Sequence, residues 1–90
     1  MRIEVRQQGG FAGLRLPPLT VDTDDLDPST AHELEQLAAT LPAGNEPGRG
    51  ADLMRYDIMV GDRTTTFFEP DVPAPARRLL RLVRDAGRRA

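Results

Sequence analysis

The sequence predicts an α+β domain in which two helices cover one face of a four-stranded antiparallel sheet of two β-hairpins, in the order ββαββα. Three segments alternate apolar and polar residues with a period of two, which is typical of strands with one buried face, and a fourth is rich in β-branched and aromatic residues. Two further segments repeat apolar residues at helical spacing. Short runs of glycine and proline separate these segments, and such runs favour turns.

The first hairpin is formed by two strands of unequal regularity. Residues 1–6 alternate cleanly between apolar and charged side chains. Residues 14–21 continue the alternation, but Pro17-Pro18 interrupts it, and proline has no N–H to donate to a neighbouring strand. We therefore expect the second strand to lie at an edge of the sheet or to break midway.

The first helix is predicted to begin at Asp27-Pro28, because aspartate is a favoured N-cap and proline suits the first helical position. The apolar residues that follow at helical spacing are Leu34, Leu37, Ala38 and Leu41. The helix must end by Leu41, since the residue before a proline disfavours helical geometry. Residues 43–50 contain three glycines and one proline and are predicted to form a loop.

The second hairpin is predicted from Leu53–Val60, the turn Gly61-Asp62 and a return strand over Thr64–Glu69. The first of these strands places one apolar set on a single face: Met54, Tyr56, Ile58 and Val60. The return strand is rich in β-branched and aromatic residues, which favour strands. The aromatic residues expected in the core are Tyr56 and one of Phe67 and Phe68.

The last helix is predicted to begin near Pro75, after a connection interrupted by prolines. Its apolar stripe consists of Ala76, Leu79, Leu80, Val83 and Ala86. Gly87 is predicted to stop this helix, because glycine is the commonest residue just past a helix end.

Length and composition exclude several classes of protein. A chain of 90 residues predicts one domain, spanning residues 1–90. The chain has no cysteine, which excludes a disulfide scaffold, a thiolate zinc site and a cysteine nucleophile. No stretch is apolar enough for a signal peptide or a membrane span, so we expect a cytoplasmic protein without a membrane partner.

Charge is unevenly distributed along the chain. The net charge is −2, which disfavours a nucleic-acid partner. The acidic residues cluster after the second strand, at Asp22, Asp24, Asp25 and Asp27. The arginines cluster at the other end, at Arg77, Arg78, Arg81, Arg84, Arg88 and Arg89. This second cluster is either a site for an acidic partner or the solvated face of the last helix.

The sequence contains no catalytic constellation, so we expect neither an enzyme nor a bound cofactor or metal. His32 is the only histidine, and Glu35, one turn later on the same helix face, is its only close candidate partner. Ser29 is the only serine and is typical of a helix start. The aspartates after the second strand lack the glycine and closing glutamate of an EF-hand.

The most distinctive segment is Gly9-Gly10-Phe11-Ala12-Gly13, which connects the strands of the first hairpin. Its three glycines frame one of only four aromatic residues in the chain, and glycine tolerates the positive φ angles of a tight turn. The segment is not a dinucleotide fingerprint, because a strand follows where a helix is required. We interpret it as a loop that presents one anchor side chain to a partner, as in an inhibitor or adaptor.

These residues also carry a resemblance. The strand Ile3-Glu4-Val5 followed by Gly9-Gly10-Phe11-Ala12-Gly13-Leu14 resembles the start of emfourin-type proteins, which inhibit protealysin and other thermolysin-like metalloproteases. The likeness continues at Leu19-Thr20-Val21-Asp22, in the leucine-rich helix, at Ala51-Asp52 before the strand of Tyr56, and at Phe68-Glu69 before Val72-Pro73. The resemblance implies a single bacterial α+β domain that blocks a thermolysin-like (protealysin-like) zinc metalloprotease. The implied protease-binding residues are Gly9, Gly10, Phe11, Ala12 and Gly13.

Two alternatives stay open from the sequence. Phe11 either points into the pocket that thermolysin-like enzymes have for a bulky apolar residue after the scissile bond, or folds back to cap the sheet. The protein either inhibits such a protease or is a non-catalytic binding or regulatory module that partners a co-expressed protease. We expect a monomer in both cases, because the prolines of the second strand protect that edge from pairing.

Overall fold

A computed structural model describes residues 1–9, 14–46 and 54–89 of the chain. The strands are β1 (Arg2–Gly9), β2 (Leu14–Arg15), β3 (Leu19–Asp22), β4 (Met54–Val60) and β5 (Arg63–Phe68). The helices are α1 (Pro28–Ala39) and α2 (Ala74–Arg89), with a short 3₁₀ helix over Thr23–Asp25. In the described ranges, neither helix has an apolar stretch of the length needed to cross a bilayer.

The strands form one antiparallel sheet with β1 at its centre. On one side β1 pairs with β2 and β3, and on the other side it pairs with β4, which in turn pairs with β5. β2 and β3 are the two halves of the predicted second strand, separated where Pro17-Pro18 lies. Counted as one strand, they complete the predicted four-stranded sheet of two hairpins, and both the edge position and the break are confirmed.

One face of the sheet packs against both helices and forms the core. The strands contribute alternate residues to it: Ile3, Val5, Val21, Tyr56, Ile58 and Phe67. The helices contribute Leu34, Ala38, Ala76, Leu79, Leu80 and Val83. Tyr56 and Phe67 are the predicted core aromatics, whereas Phe68 is half-buried on the opposite, polar face of the sheet.

The start of α1 follows the predicted capping chemistry. Asp27 is the N-cap, its Oδ2 accepts the backbone N–H of Thr30 at 3.0 Å, and Pro28 is the first helical residue. The helix ends at Ala39, before the proline that limits it. α1 is joined to α2 by Arg78, which donates two hydrogen bonds to the Glu33 carboxylate at 2.8 and 3.1 Å and lowers the pKa of that carboxyl.

The predicted stop at Gly87 is wrong, because α2 continues to Arg89. Gly87 lies inside the helix and faces β3. A Cβ atom at this position would lie 3.3 Å from Cδ2 of Leu19. The glycine therefore permits a close approach between the helix and the sheet, which a local rule for helix ends does not detect.

The outer edge of β5 is covered by residues 41–46, called the edge segment below. A Cβ atom at Gly44 would lie 2.3 Å from the carbonyl oxygen of Thr66, so the two backbones are in direct contact. The side-chain Oδ1 of Asn45 accepts the backbone N–H of Phe68 at 2.6 Å, and its Nδ2 donates to the carbonyl oxygens of Phe68 at 2.9 Å and Asp71 at 3.1 Å. Asn45 thus takes the hydrogen-bonding place of a neighbouring strand and leaves this part of the edge unavailable for pairing.

We expect Asn45→Ala to lower the free energy of unfolding by about 1–3 kcal/mol, because it leaves the partly buried backbone groups of Phe68 without partners. In a domain of this size, the melting temperature should fall by at least ~4 °C. Urea unfolding followed by circular dichroism measures the loss. Gln36→Ala, which removes an exposed amide on α1, is the matched control. Equal stability of the two variants would contradict the conclusion that the Asn45 side chain stabilises the edge of β5 by pairing with Phe68.

Candidate functional site

The candidate site lies where β1 ends and β2 and β4 begin. Gly9 pairs with Leu14 on one side and with Met54 on the other. The end of β5 is adjacent, because Phe68 pairs with Arg55 and the backbone N–H of Glu69 donates to the carbonyl oxygen of Met54 at 3.0 Å. We call this end of the sheet, defined by Gly9, Leu14, Met54 and Phe68, the hairpin end.

Of the five predicted binding residues, Gly9 alone lies in the described part of the chain. It is the last residue of β1 and has a φ of 100°, a backbone conformation that favours glycine. Gly10, Phe11, Ala12 and Gly13 lie outside the described residues, and so does the predicted loop from position 47 to 50. The orientation of Phe11 stays a prediction. The residues that border both segments, at 9, 14 and 54, lie side by side on three adjacent strands.

A polar cluster attaches α2 to the hairpin end. The buried Tyr56 donates its hydroxyl hydrogen to Oε1 of Glu69, and the guanidinium carbon of Arg84 lies 6.0 Å from the centroid of the Tyr56 ring. Nη2 of Arg84 also donates to Oε1 of Gln7 at 3.3 Å, and Gln7 is the residue opposite Tyr56 in the sheet. These contacts connect α2 to β1, to β4 and to the end of β5. On β1 the contact is at Gln7, two residues before Gly9.

The electrostatics of this cluster suit a structural role. Burial raises the pKa of Tyr56, and the hydrogen bond to Glu69 raises it further. The phenol therefore remains protonated at neutral pH and acts as a hydrogen-bond donor rather than as a base. Beside it is a cavity of about 360 Å³ that includes Arg77 and Arg84 in its lining.

The other residues considered from the sequence have local roles. His32 is exposed, and Glu35 accepts a hydrogen bond at 2.7 Å from the hydroxyl of the buried Thr23. Oδ1 of Asp22 caps the 3₁₀ helix by accepting the backbone N–H of Asp24 at 3.0 Å. Among the residues that the structure describes, no group of His, Asp and Glu is arranged to hold a metal ion.

Sequence reasoning missed Asn45 and the cluster of Tyr56, Glu69 and Arg84. An asparagine in a loop is a common turn residue, so nothing in the sequence singles out Asn45 as a partner of Phe68. Glu69 was included in the second hairpin only as the last residue of a strand, and Arg84 only as a member of the C-terminal arginine cluster. The pairing of β1 with β4 and the packing of α2 are what bring these side chains together.

The fold and the site define a two-layer α+β domain in which the ends of β1 and β5 and the starts of β2 and β4 lie together at one end of the sheet. The family model described as Emfourin matches residues 5–84, and the chain belongs to this family. No curated protein and no solved structure matches the chain. Membership of the family implies a protease-inhibitor role in general, with a metalloprotease as the kind of partner and no enzymatic activity required of the chain itself.

Proposed function

We propose that the protein binds a thermolysin-like, protealysin-like zinc metalloprotease and blocks its active-site cleft. The observation that carries this proposal is the family match, which extends over residues 5–84 and so includes both hairpins, α1 and the glycine-framed segment. The inhibitor needs no metal of its own, because the zinc and the catalytic groups belong to the protease.

The binding residues in this proposal are Gly9, Gly10, Phe11, Ala12 and Gly13. Phe11 enters the pocket for a bulky apolar residue after the scissile bond, and the glycines allow the two backbones to approach closely. Support comes from the position of Gly9, which is paired on both sides and has a positive φ. A loop on a rigid frame loses less conformational entropy on binding than a free peptide, which favours affinity.

The proposed inhibitor acts as a monomer, with one molecule per protease molecule. The edge segment covers β5, and the strand at the opposite edge is interrupted at residues 16–18. Both features oppose edge-to-edge association of sheets. We also propose that it acts in the cytoplasm, as the sequence composition predicts.

The test is a titration of a purified thermolysin-like protease with this protein, using hydrolysis of a short peptide substrate as the readout. We expect activity to fall in proportion to the added protein and to be abolished near one equivalent. A serine protease assayed in parallel is the control and should be unaffected. Full activity at micromolar protein across several thermolysin-like enzymes would refute inhibition. Binding without inhibition would instead support the alternative of a regulatory partner.

A further inference from the structure

Three arginines form a stripe along one face of α2. Arg77, Arg81 and Arg84 are spaced at i, i+4 and i+7, which places them on the same side of a helix. Within the described residues, none of the three has a carboxylate within ion-pair distance. Their neighbour Arg78, on a different face, is paired with Glu33. We call Arg77, Arg81 and Arg84 the arginine stripe.

Two members of the stripe, Arg77 and Arg84, lie beside the hairpin end. Arg84 contacts Gln7 and the Tyr56 ring, and these two residues lie two positions from Gly9 and Met54 in the paired strands. Arg77 lines the same cavity as Arg84, next to Glu69. Arg77 and Arg81 are exposed, so their charges are accessible to a partner.

The stripe is positive in a chain whose net charge is −2, so it is opposite in sign to the molecule as a whole. Adjacent like charges repel one another, and here no described carboxylate offsets them by pairing. Arg84 is half-buried and held by neutral partners, so its guanidinium is already oriented. A basic stripe without described ion-pair partners, one member of which is held in place, complements an acidic surface on a partner.

We propose that the arginine stripe binds an acidic patch beside the cleft of the target protease; this inference rests on the proposed inhibitory function. Exposed charge pairs contribute little to the affinity of a complex but accelerate its formation, because they steer the two proteins during encounter. The stripe therefore acts mainly on the association rate constant. A nucleic acid is the less favoured partner, since the whole chain is negative.

The test compares two double variants that remove the same charge, one from α2 and one from the end of the sheet opposite the hairpin end. R77Q/R81Q removes two exposed, unpaired arginines of the stripe. R2Q/R63Q removes two exposed arginines that lie at the start of β1 and the start of β5, far from the hairpin end. Association and dissociation with an inhibited protease are measured from about 0.01 M to about 0.1 M ionic strength, over which the Debye length falls from about 30 Å to about 10 Å.

At the lowest salt, R77Q/R81Q should associate about tenfold more slowly than the wild-type protein, with a nearly unchanged dissociation rate. The difference should shrink as salt rises, and R2Q/R63Q should change association by less than about twofold. Two single variants at Arg81 are compared as well. R81E, which reverses the exposed charge, should slow association more than R81Q, which only removes it. Thermal melts verify that each variant is folded.

The outcomes separate this inference from the function on which it rests. If R77Q/R81Q and R2Q/R63Q associate equally fast while the wild-type protein still inhibits, the proposed role of the arginine stripe is wrong and the proposed function stands. If the wild-type protein does not inhibit the protease, both the proposed function and the proposed role of the arginine stripe are wrong. Binding of single-stranded RNA that is lost in R77Q/R81Q but kept in R2Q/R63Q would assign the stripe to a nucleic acid instead.

Discussion

Phe67→Ala is expected to remove about 3–5 kcal/mol from the free energy of unfolding, which is a large part of the roughly 5–15 kcal/mol typical of a folded domain. The Phe67 side chain is fully buried, and it lies opposite Tyr56 on the packed face of the sheet. Truncation removes the transfer free energy of the ring and leaves a cavity that the surrounding strands and helices fill only in part. Urea unfolding followed by circular dichroism measures the loss.

Phe68→Ala is the matched control, because the same side chain is truncated one residue later on the opposite face. Phe68 is half-buried, so its loss should cost roughly 1–2 kcal/mol. Similar losses in the two variants would contradict the assignment of one buried and one open face to the sheet.

Phe11→Ala is expected to weaken inhibition of the target protease at least ~30-fold, the effect of losing a binding anchor worth about 2 kcal/mol. The free energy of unfolding should change by less than about 0.5 kcal/mol, as for a substitution that leaves the core intact. Inhibition constants and urea unfolding curves of the same preparations measure both quantities.

Phe11→Leu is the conservative control for this prediction, since a pocket for bulky apolar residues accepts leucine. It should retain most of the inhibition that Phe11→Ala loses. A large loss of stability in Phe11→Ala would show that Phe11 caps the sheet. Unchanged stability together with unchanged inhibition would show that Phe11 is not the anchor.

The order of the elements and the buried faces could be predicted because they depend on local patterns. Period-two alternation identified β1 and β4, and Pro17-Pro18 marked the break between β2 and β3. Asp27 was recognisable as a cap because the hydrogen bond it accepts, from Thr30, is only three residues away.

The features that could not be predicted depend on contacts between distant parts of the chain. Gly87 has the sequence context of a helix stop, but α2 continues to Arg89, and the glycine instead lies against Leu19 of a distant strand. Asn45 pairs with Phe68, 23 residues later, and no local pattern encodes that contact. The same reason explains the cluster at the hairpin end, whose members come together only when β1 pairs with β4 and α2 packs on the sheet.

The candidate site was predictable in composition but not in geometry. Glycine enrichment around Phe11 singled out the segment, and the family match over residues 5–84 confirms the resemblance that the segment suggested. The spacing of arginines on α2 was also visible, but their lack of described acidic partners and their position beside the hairpin end required the tertiary structure.

A competition experiment determines whether the protein occupies the active-site cleft of a thermolysin-like protease, as we propose. Binding of the protein to the protease is measured by calorimetry, with the cleft either free or saturated with a small zinc-chelating active-site inhibitor. We expect binding near one to one with the free enzyme and none with the saturated enzyme, because both ligands would occupy the same cleft. Equal binding to both forms would show that the protein binds elsewhere on the protease.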